Sequence, residues 1–177
     1  AASLRGYSSF WKGHDIMLAD YQSFFEVRLA HYDDIPAIMC ITRDAFTKYK
    51  ELAGIDRVDA LNETEQDLKN DIDTKIVLIA TQDGEPVGSV RVAVSDNHSA
   101  YLSRFGVKPD SQNNGIGKSM MNLVDRIMIK KGVKRLSLHT GSKISSLIRF
   151  YYGRGFFIES TDTDRGYVRA LLVKEYS

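Results

Sequence analysis

At 177 residues the chain has room for one domain with a full core rather than two. Hydrophobic residues make up 43% and charged residues 27%, the balance of a soluble globular protein. The 24 basic and 23 acidic residues leave a net charge of +1, which argues against nucleic acid or an anionic membrane as the main partner.

No apolar run approaches the ~18 residues of a membrane span, and no apolar core of a signal peptide stands at the start. A single cysteine, Cys40, excludes an internal disulfide and favours a reduced, cytoplasmic setting. His14, His31, His98 and His139 have no metal-ligand spacing with one another or with Cys40, so no metal is expected.

Residues 1–24 carry no clear period but hold Tyr7, Phe10, Trp11, Tyr21 and Phe24, and read as an N-terminal extension that packs on the domain or on a partner. The domain itself is placed at 25–177. Phe25 to Leu29 alternates as a first strand. Asp34 and Pro36 open a helix carrying Ile38, Ile41 and Ala45 at helical spacing. Thr47 to Arg57 is polar and reads as a loop or short helix. Asn62-Glu63-Thr64-Glu65 has the form of a capping box before a second helix with Leu68 and Ile72. Ile76 to Ala80 is a fully apolar central strand, Asp83-Gly84 is a hairpin turn, and Val87 to Val94 returns. A third antiparallel strand, Tyr101 to Val107, contains Gly106, which marks a bulge or a close approach by another backbone or a ligand.

The turn after this strand is the most informative stretch. Pro109 to Asn114 cannot continue a strand, and helical spacing then starts at Ile116 with Met120, Leu123, Val124 and Ile127. Gly115 and Gly117 at the helix entry leave unpaired backbone N–H groups bare, at the positive end of the helix dipole, where a phosphate can come close. Lys118 and Ser119 add a cation and a hydroxyl. Gly117-Lys118-Ser119 looks like the end of a P-loop, which would bind a nucleotide. That motif needs a glycine at position 112, where Gln112 stands. Gln112-Asn113-Asn114-Gly115-Ile116-Gly117 fits a different pattern, Q/R-x-x-G-x-G/A, fully.

Downstream, Lys130-Lys131-Gly132 ends that helix, and Arg135 to Thr140 is a strand parallel to the previous one because a helix crosses between them. Lys143 to Tyr152 is helical, Gly153 and Gly155 stop it, and Phe156 to Ile158 starts a strand. Asp162 to Gly166 turns, and Tyr167 to Lys174 closes a hairpin.

With Val107-Lys108-Pro109 before it, the six-residue pattern resembles the coenzyme A loop of the GNAT superfamily of N-acyltransferases. A later family signature, N-x-x-A-x-x-x-Y-x-x-x-G-F, falls on Tyr151 and Gly155-Phe156, whereas Ile144 and Leu147 replace its Asn and Ala. The resemblance covers about residues 25–177. It implies an α/β (α+β) fold: a mixed twisted sheet of about seven strands with about four helices, antiparallel N-terminal strands and a splayed parallel pair. It further implies transfer of an acetyl group from acetyl-CoA to a primary amine by direct attack in a ternary complex. Cofactor contacts are expected from Phe105, Gly106, Val107, Gln112, Asn113, Asn114, Gly115, Ile116, Gly117, Lys118 and Ser119. Tyr151 is the candidate acid for the departing thiolate. Ser145 or Ser146 are stand-ins for the missing Asn. His139, at the mouth of the splay, is the candidate base, ahead of His98, Asp96 and Glu159. Phe46, Tyr49 and Glu65 are candidate pocket residues, and Asp162 and Asp164 are candidates to attract a cationic amine. The missing Asn keeps a second reading open, a non-catalytic acyl-CoA-binding regulator on the same fold. The acceptor is a small-molecule or peptide amine, and the oligomeric state, a homodimer included, is left open.

Overall fold

The computed structural model describes residues 25–177, and the expected extension at 1–24 lies outside them. Among the described residues seven strands form one sheet in the order β1-β2-β3-β4-β5-β7-β6. They are β1 (Phe25–Leu29), β2 (Ile76–Gln82), β3 (Glu85–Val94), β4 (Ser99–Val107), β5 (Arg135–Gly141), β6 (Phe157–Asp162) and β7 (Arg169–Glu175). Four α-helices flank the sheet: α1 (Ile35–Ala53), α2 (Glu65–Thr74), α3 (Ile116–Lys130) and α4 (Ser145–Tyr152). Every strand pair is antiparallel except β4–β5, which is parallel because α3 crosses between them. This is the mixed architecture the sequence implies. None of these helices is long and apolar enough to cross a membrane.

The unbroken apolar run of β2 is explained by burial on both faces. Leu78 and Ala80 join the core under α3, with Met120, Met121, Val124 and Met128, while Val77 and Ile79 pack under α1 and α2 with Ile35, Ile38 and Leu68. Burying each large aliphatic side chain contributes about 1.5–3 kcal/mol. At the β2–β3 turn Asp83 and Gly84 both take positive φ, 51° and 85°, as a tight hairpin of this hand requires.

One local expectation is refined and one shifts. The polar stretch Thr47 to Arg57 is both: α1 runs through it to Ala53, with Lys48 and Glu51 on its exposed side, and from Gly54, with φ 64°, the chain is loop. The helix after it is capped two residues later than the Asn62 pattern indicates. Asn62 belongs to a 3-10 turn (Asp59–Asn62), and Thr64 and Asp67 exchange side-chain and backbone bonds at 2.9 and 3.1 Å.

One polar contact inside the fold was not legible beforehand. Arg91 of β3 is fully buried and its guanidinium reaches Glu63 Oε2 at 2.7 Å and Asp71 Oδ2 at 2.8 Å. It fastens the segment before α2, and α2 itself, to the sheet. Removing one partner of such a pair leaves a buried charge uncompensated. Arg91→Ala is therefore expected to cost about 3–5 kcal/mol of stability, read as a lower denaturant midpoint in chemical unfolding.

Candidate active site

The site begins with a failure of pairing. β4 and β5 are in register only at Ser99–Arg135, Ala100–Leu136 and Tyr101–Ser137, and then part. Beyond that point β4 stays bonded to β3 as far as Val107, and β5 stays bonded to β7 as far as Gly141. Each strand is held from its outer side, so the gap between them is fixed.

β4 also carries a bulge. From Ser89 to Arg91 β3 advances two residues while β4 covers three, from Gly106 back to Ser103. Arg104 takes φ 53°, a left-handed conformation that costs a non-glycine residue about 1 kcal/mol or more. The irregularity therefore sits at Arg104 and Phe105, not at Gly106. Gly106 serves the other reading of a strand glycine, close approach: a Cβ there would lie 2.9 Å from the Cβ of Ala45 on α1.

A cavity of about 590 Å³ runs through the gap. Phe46 and Tyr49 of α1 line it on one face of the sheet, and Leu147 and Tyr151 of α4 on the other, with Tyr101, Phe105, Leu138 and His139 from the parted strands. Tyr151 is 5% exposed and sits among Phe105, Phe150 and Phe156, with ring centroids 5.2–6.1 Å apart. Burial pushes its hydroxyl well above the ordinary phenol range, so it stays protonated. Across the mouth of the gap His139 Nδ1 lies 2.6 Å from the Tyr101 hydroxyl. Burial lowers the His139 pKa, and the nearby Arg169 lowers it further, against a weaker pull upward from Asp162. The imidazole is therefore neutral at neutral pH and can accept a proton. On the α1 side the Gly141 N–H donates to the Tyr49 oxygen at 2.9 Å, and the Tyr49 and Tyr167 hydroxyls meet at 2.8 Å.

The α3 entry adjoins this gap. Gly115 is its cap with φ 82°, and the first backbone bond into the helix runs from the Ser119 N–H to the Gly115 carbonyl at 3.0 Å. The amides of Ile116, Gly117 and Lys118 precede that bond and are left to other partners. Gly117 has neither a positive φ nor a steric conflict, since a Cβ would touch Phe150 at 3.4 Å and Phe105 at 3.5 Å, ordinary contact distances. Packing inside the chain therefore does not demand glycine there. Gln112 donates to the Val107 carbonyl at 3.2 Å and so shapes the loop. Asn113, with φ 67°, and Asn114 and Lys118 are exposed, and Ser119 is half-buried. The Ile116 side chain is in the core, which leaves its backbone N–H for any ligand.

Residues 37–156 match the Acetyltransferase (GNAT) family. The chain belongs to that family. It is 25% identical over 159 residues to mycothiol acetyltransferase of Propionibacterium freudenreichii, covering 81% of this chain and 46% of that protein. It is 33% identical over 87 residues to spermidine N(1)-acetyltransferase of Thermoplasma acidophilum, covering 49% and 53%. The chain thus spans about half the length of these two relatives. The fold aligns with the crystal structure of the PaiA N-acetyltransferase of T. acidophilum in complex with coenzyme A, at TM-score 0.76 and 24% identity, over 86% of this chain and 99% of that one.

In this GNAT domain the sequence-predicted residues divide. Tyr151, His139, Phe105, Phe46 and Tyr49 share the cavity, and Glu65 does not line it. Val107 is core. His98 and Asp96 are exposed in the β3–β4 turn, and Glu159 is exposed and paired with Arg135. Ile144 is buried where the family signature has Asn, and Ser145 and Ser146 are exposed at the start of α4. Asp162 is not free for an amine: it lies 3.7 Å from Arg169 and 3.9 Å from His139. Asp164 is exposed on the turn. Sequence reasoning missed Arg57, Tyr101, Arg104, Tyr167 and Arg169, all of which line the cavity. Among the described residues no group of three or more His, Cys, Asp or Glu is arranged to hold a metal.

The His139 titration tests this electrostatic picture. By NMR its midpoint is expected below the ordinary histidine value of about 6.5. In Arg169→Gln, which deletes a repelling charge and frees Asp162, the midpoint is expected to move up.

Proposed function

We propose that this protein is an N-acetyltransferase that moves the acetyl group of acetyl-CoA to a primary amine by direct attack. The observation that carries the proposal is the fixed gap between β4 and β5, lined by Phe105 and Tyr151, with the α3 entry beside it where Gly117 faces Phe105 and Phe150. The amides of Ile116, Gly117 and Lys118 suit the diphosphate of coenzyme A, and Lys118 adds charge. The parted edge of β4 presents backbone donors and acceptors to the amides of its extended thiol-bearing arm, as a sheet edge does to an added strand.

In the reaction the amine nitrogen attacks the thioester carbonyl carbon and the C–S bond breaks; of the three protons of the ammonium one stays on the amide nitrogen and two leave, while the sulfur gains one and one passes through the base to solvent. On this reading neutral His139 takes a proton from the incoming ammonium, which must lose one before it has a lone pair. On the same reading Tyr151 gives its proton to the departing sulfur. The same burial that raises its own pKa also raises that of a thiolate in the gap, so the transfer remains matched. Holding both reactants in one geometry contributes the largest share, roughly 7–11 kcal/mol in well-oriented systems, against roughly 3–5 kcal/mol for the proton transfers.

Two substitutions separate binding from chemistry. Tyr151→Phe is expected to lower kcat by roughly 10²–10⁴ while acetyl-CoA affinity by calorimetry is unchanged; unchanged thiol release would reject Tyr151 as the acid. Gly117→Ala is expected to leave the thermal midpoint at or above that of the parent, since Ala favours a helix, and to weaken acetyl-CoA binding at least about tenfold. Equal affinity in that variant would count against diphosphate docking at this turn.

A further inference from the structure

The cavity lining carries cations in excess. Five basic side chains line it: Arg57, Lys75, Arg104, Arg165 and Arg169. The two lining carboxylates are already engaged, Asp59 by Arg165 and Asp71 by the buried Arg91 and by Lys75 at 3.1 Å. What remains is under-partnered. Among the described residues the one ion pair of Arg169 is with Asp162, at 3.7 Å, and that of Arg104 is with Glu63, at 3.6 Å, a carboxylate already gripping Arg91 at 2.7 Å. Among the described residues the Nε–H groups of Arg91, Arg104 and Arg169 are buried without a hydrogen-bond partner, and of these Arg104 and Arg169 line the cavity. Buried guanidinium donors left unmade are costly, and the arrangement suits a planar anion from outside.

These cations are not placed for the phosphates of coenzyme A. The α3 entry, residues 112–119, contributes nothing to the cavity lining, whereas Arg57 and Arg165 sit with Tyr49 and Tyr167 on the α1 side. Position also sets the spacing. A single carboxylate, Asp162, lies 3.9 Å from His139 Nε2 and 3.7 Å from Arg169, so imidazole and guanidinium are one carboxylate apart. An amine beside His139 would hold a carboxylate near Arg169 if the two groups were separated by one or two carbons.

We propose that the acceptor is an amine that also bears a carboxylate, of amino-acid type, and that Arg169 with Arg104 binds that carboxylate. This rests on the acetyltransferase reading of the same cavity. It sets this chain apart from an enzyme for polyamines, which would bring further positive charge to a cationic wall.

The test is acetyl-CoA turnover, followed as thiol release, over the standard L-amino acids, their carboxamides and spermidine. The carboxamide has the less basic amine, so protonation alone would favour it. At least one L-amino acid is expected to exceed its carboxamide in kcat/KM by at least about tenfold, with spermidine a poor acceptor. Arg169→Gln is expected to bring that ratio to within about threefold, mainly through KM, and Arg104→Gln to lower it in part, both with acetyl-CoA affinity unchanged. Spermidine or carboxamides turned over as well as the acids, no acid accepted, or a ratio unmoved in both variants would overturn the proposal. Acetyl-CoA binding is measured alone by calorimetry: its absence would sink the acetyltransferase reading itself, and its presence with no preference for acids would sink only the acceptor class.

Discussion

The constraint on which the site depends is that two neighbouring parallel strands stop pairing while each remains held by the strand on its other side. An open sheet edge inside a protein is costly, because its N–H and C=O groups lose water without gaining partners. Here the cost is localised to the stretch after Tyr101 and Ser137. The bulge at Arg104 turns β4 away, and the ladder from β5 to β7, unbroken from Arg135 to Gly141, keeps β5 from following. The gap is a property of the whole sheet rather than of any one loop.

The packing around the gap keeps it open and gives it two different ends. Gly106 lets α1 come within contact of β4, which brings Phe46 and Tyr49 over the opening. The Arg91–Glu63–Asp71 cluster holds the opposite rim, residues 57–63 and α2, against β3. Its worth lies less in net stability, which buried ion pairs supply poorly, than in fixing where Asp59 and Arg57 stand. One end of the site thus offers backbone amides at a helix start. The other offers arginines around two hydrogen-bonded tyrosines.

Much of the fold was legible because its signals are local. Proline, Asp-Gly and the glycines of the α3 entry dictate turns through their own backbone preferences, and apolar period separates strand from helix within a few residues. The glycine-rich turn at the α3 entry was legible for the same reason. What was misread depends on tertiary context. Two capping patterns overlap at Asn62 and Thr64, and only the 3-10 turn at Asp59–Asn62 decides between them. The polar run after Ala45 is the solvent face of a helix as far as Ala53 and loop beyond it, and composition does not mark where one becomes the other. Arg104 has no intrinsic preference for positive φ, so nothing marked it as the bulge, whereas Gly106 did attract that reading. Acceptor-side residues come from remote elements: Tyr49 and Tyr167 are 118 positions apart and share no motif. Arg91 sits in a strand pattern that gives no sign that Glu63 and Asp71 will close on it.

The central claim, that the parted edge receives an extended ligand arm while the α3 entry grips its diphosphate, is tested most directly by amide hydrogen exchange with and without acetyl-CoA. The account predicts slowed exchange confined to two stretches, 102–107 on β4 and 115–119 at the α3 entry, with β1 and β2 unchanged. Saturating acetyl-CoA that leaves both stretches exchanging at their free rates would contradict it.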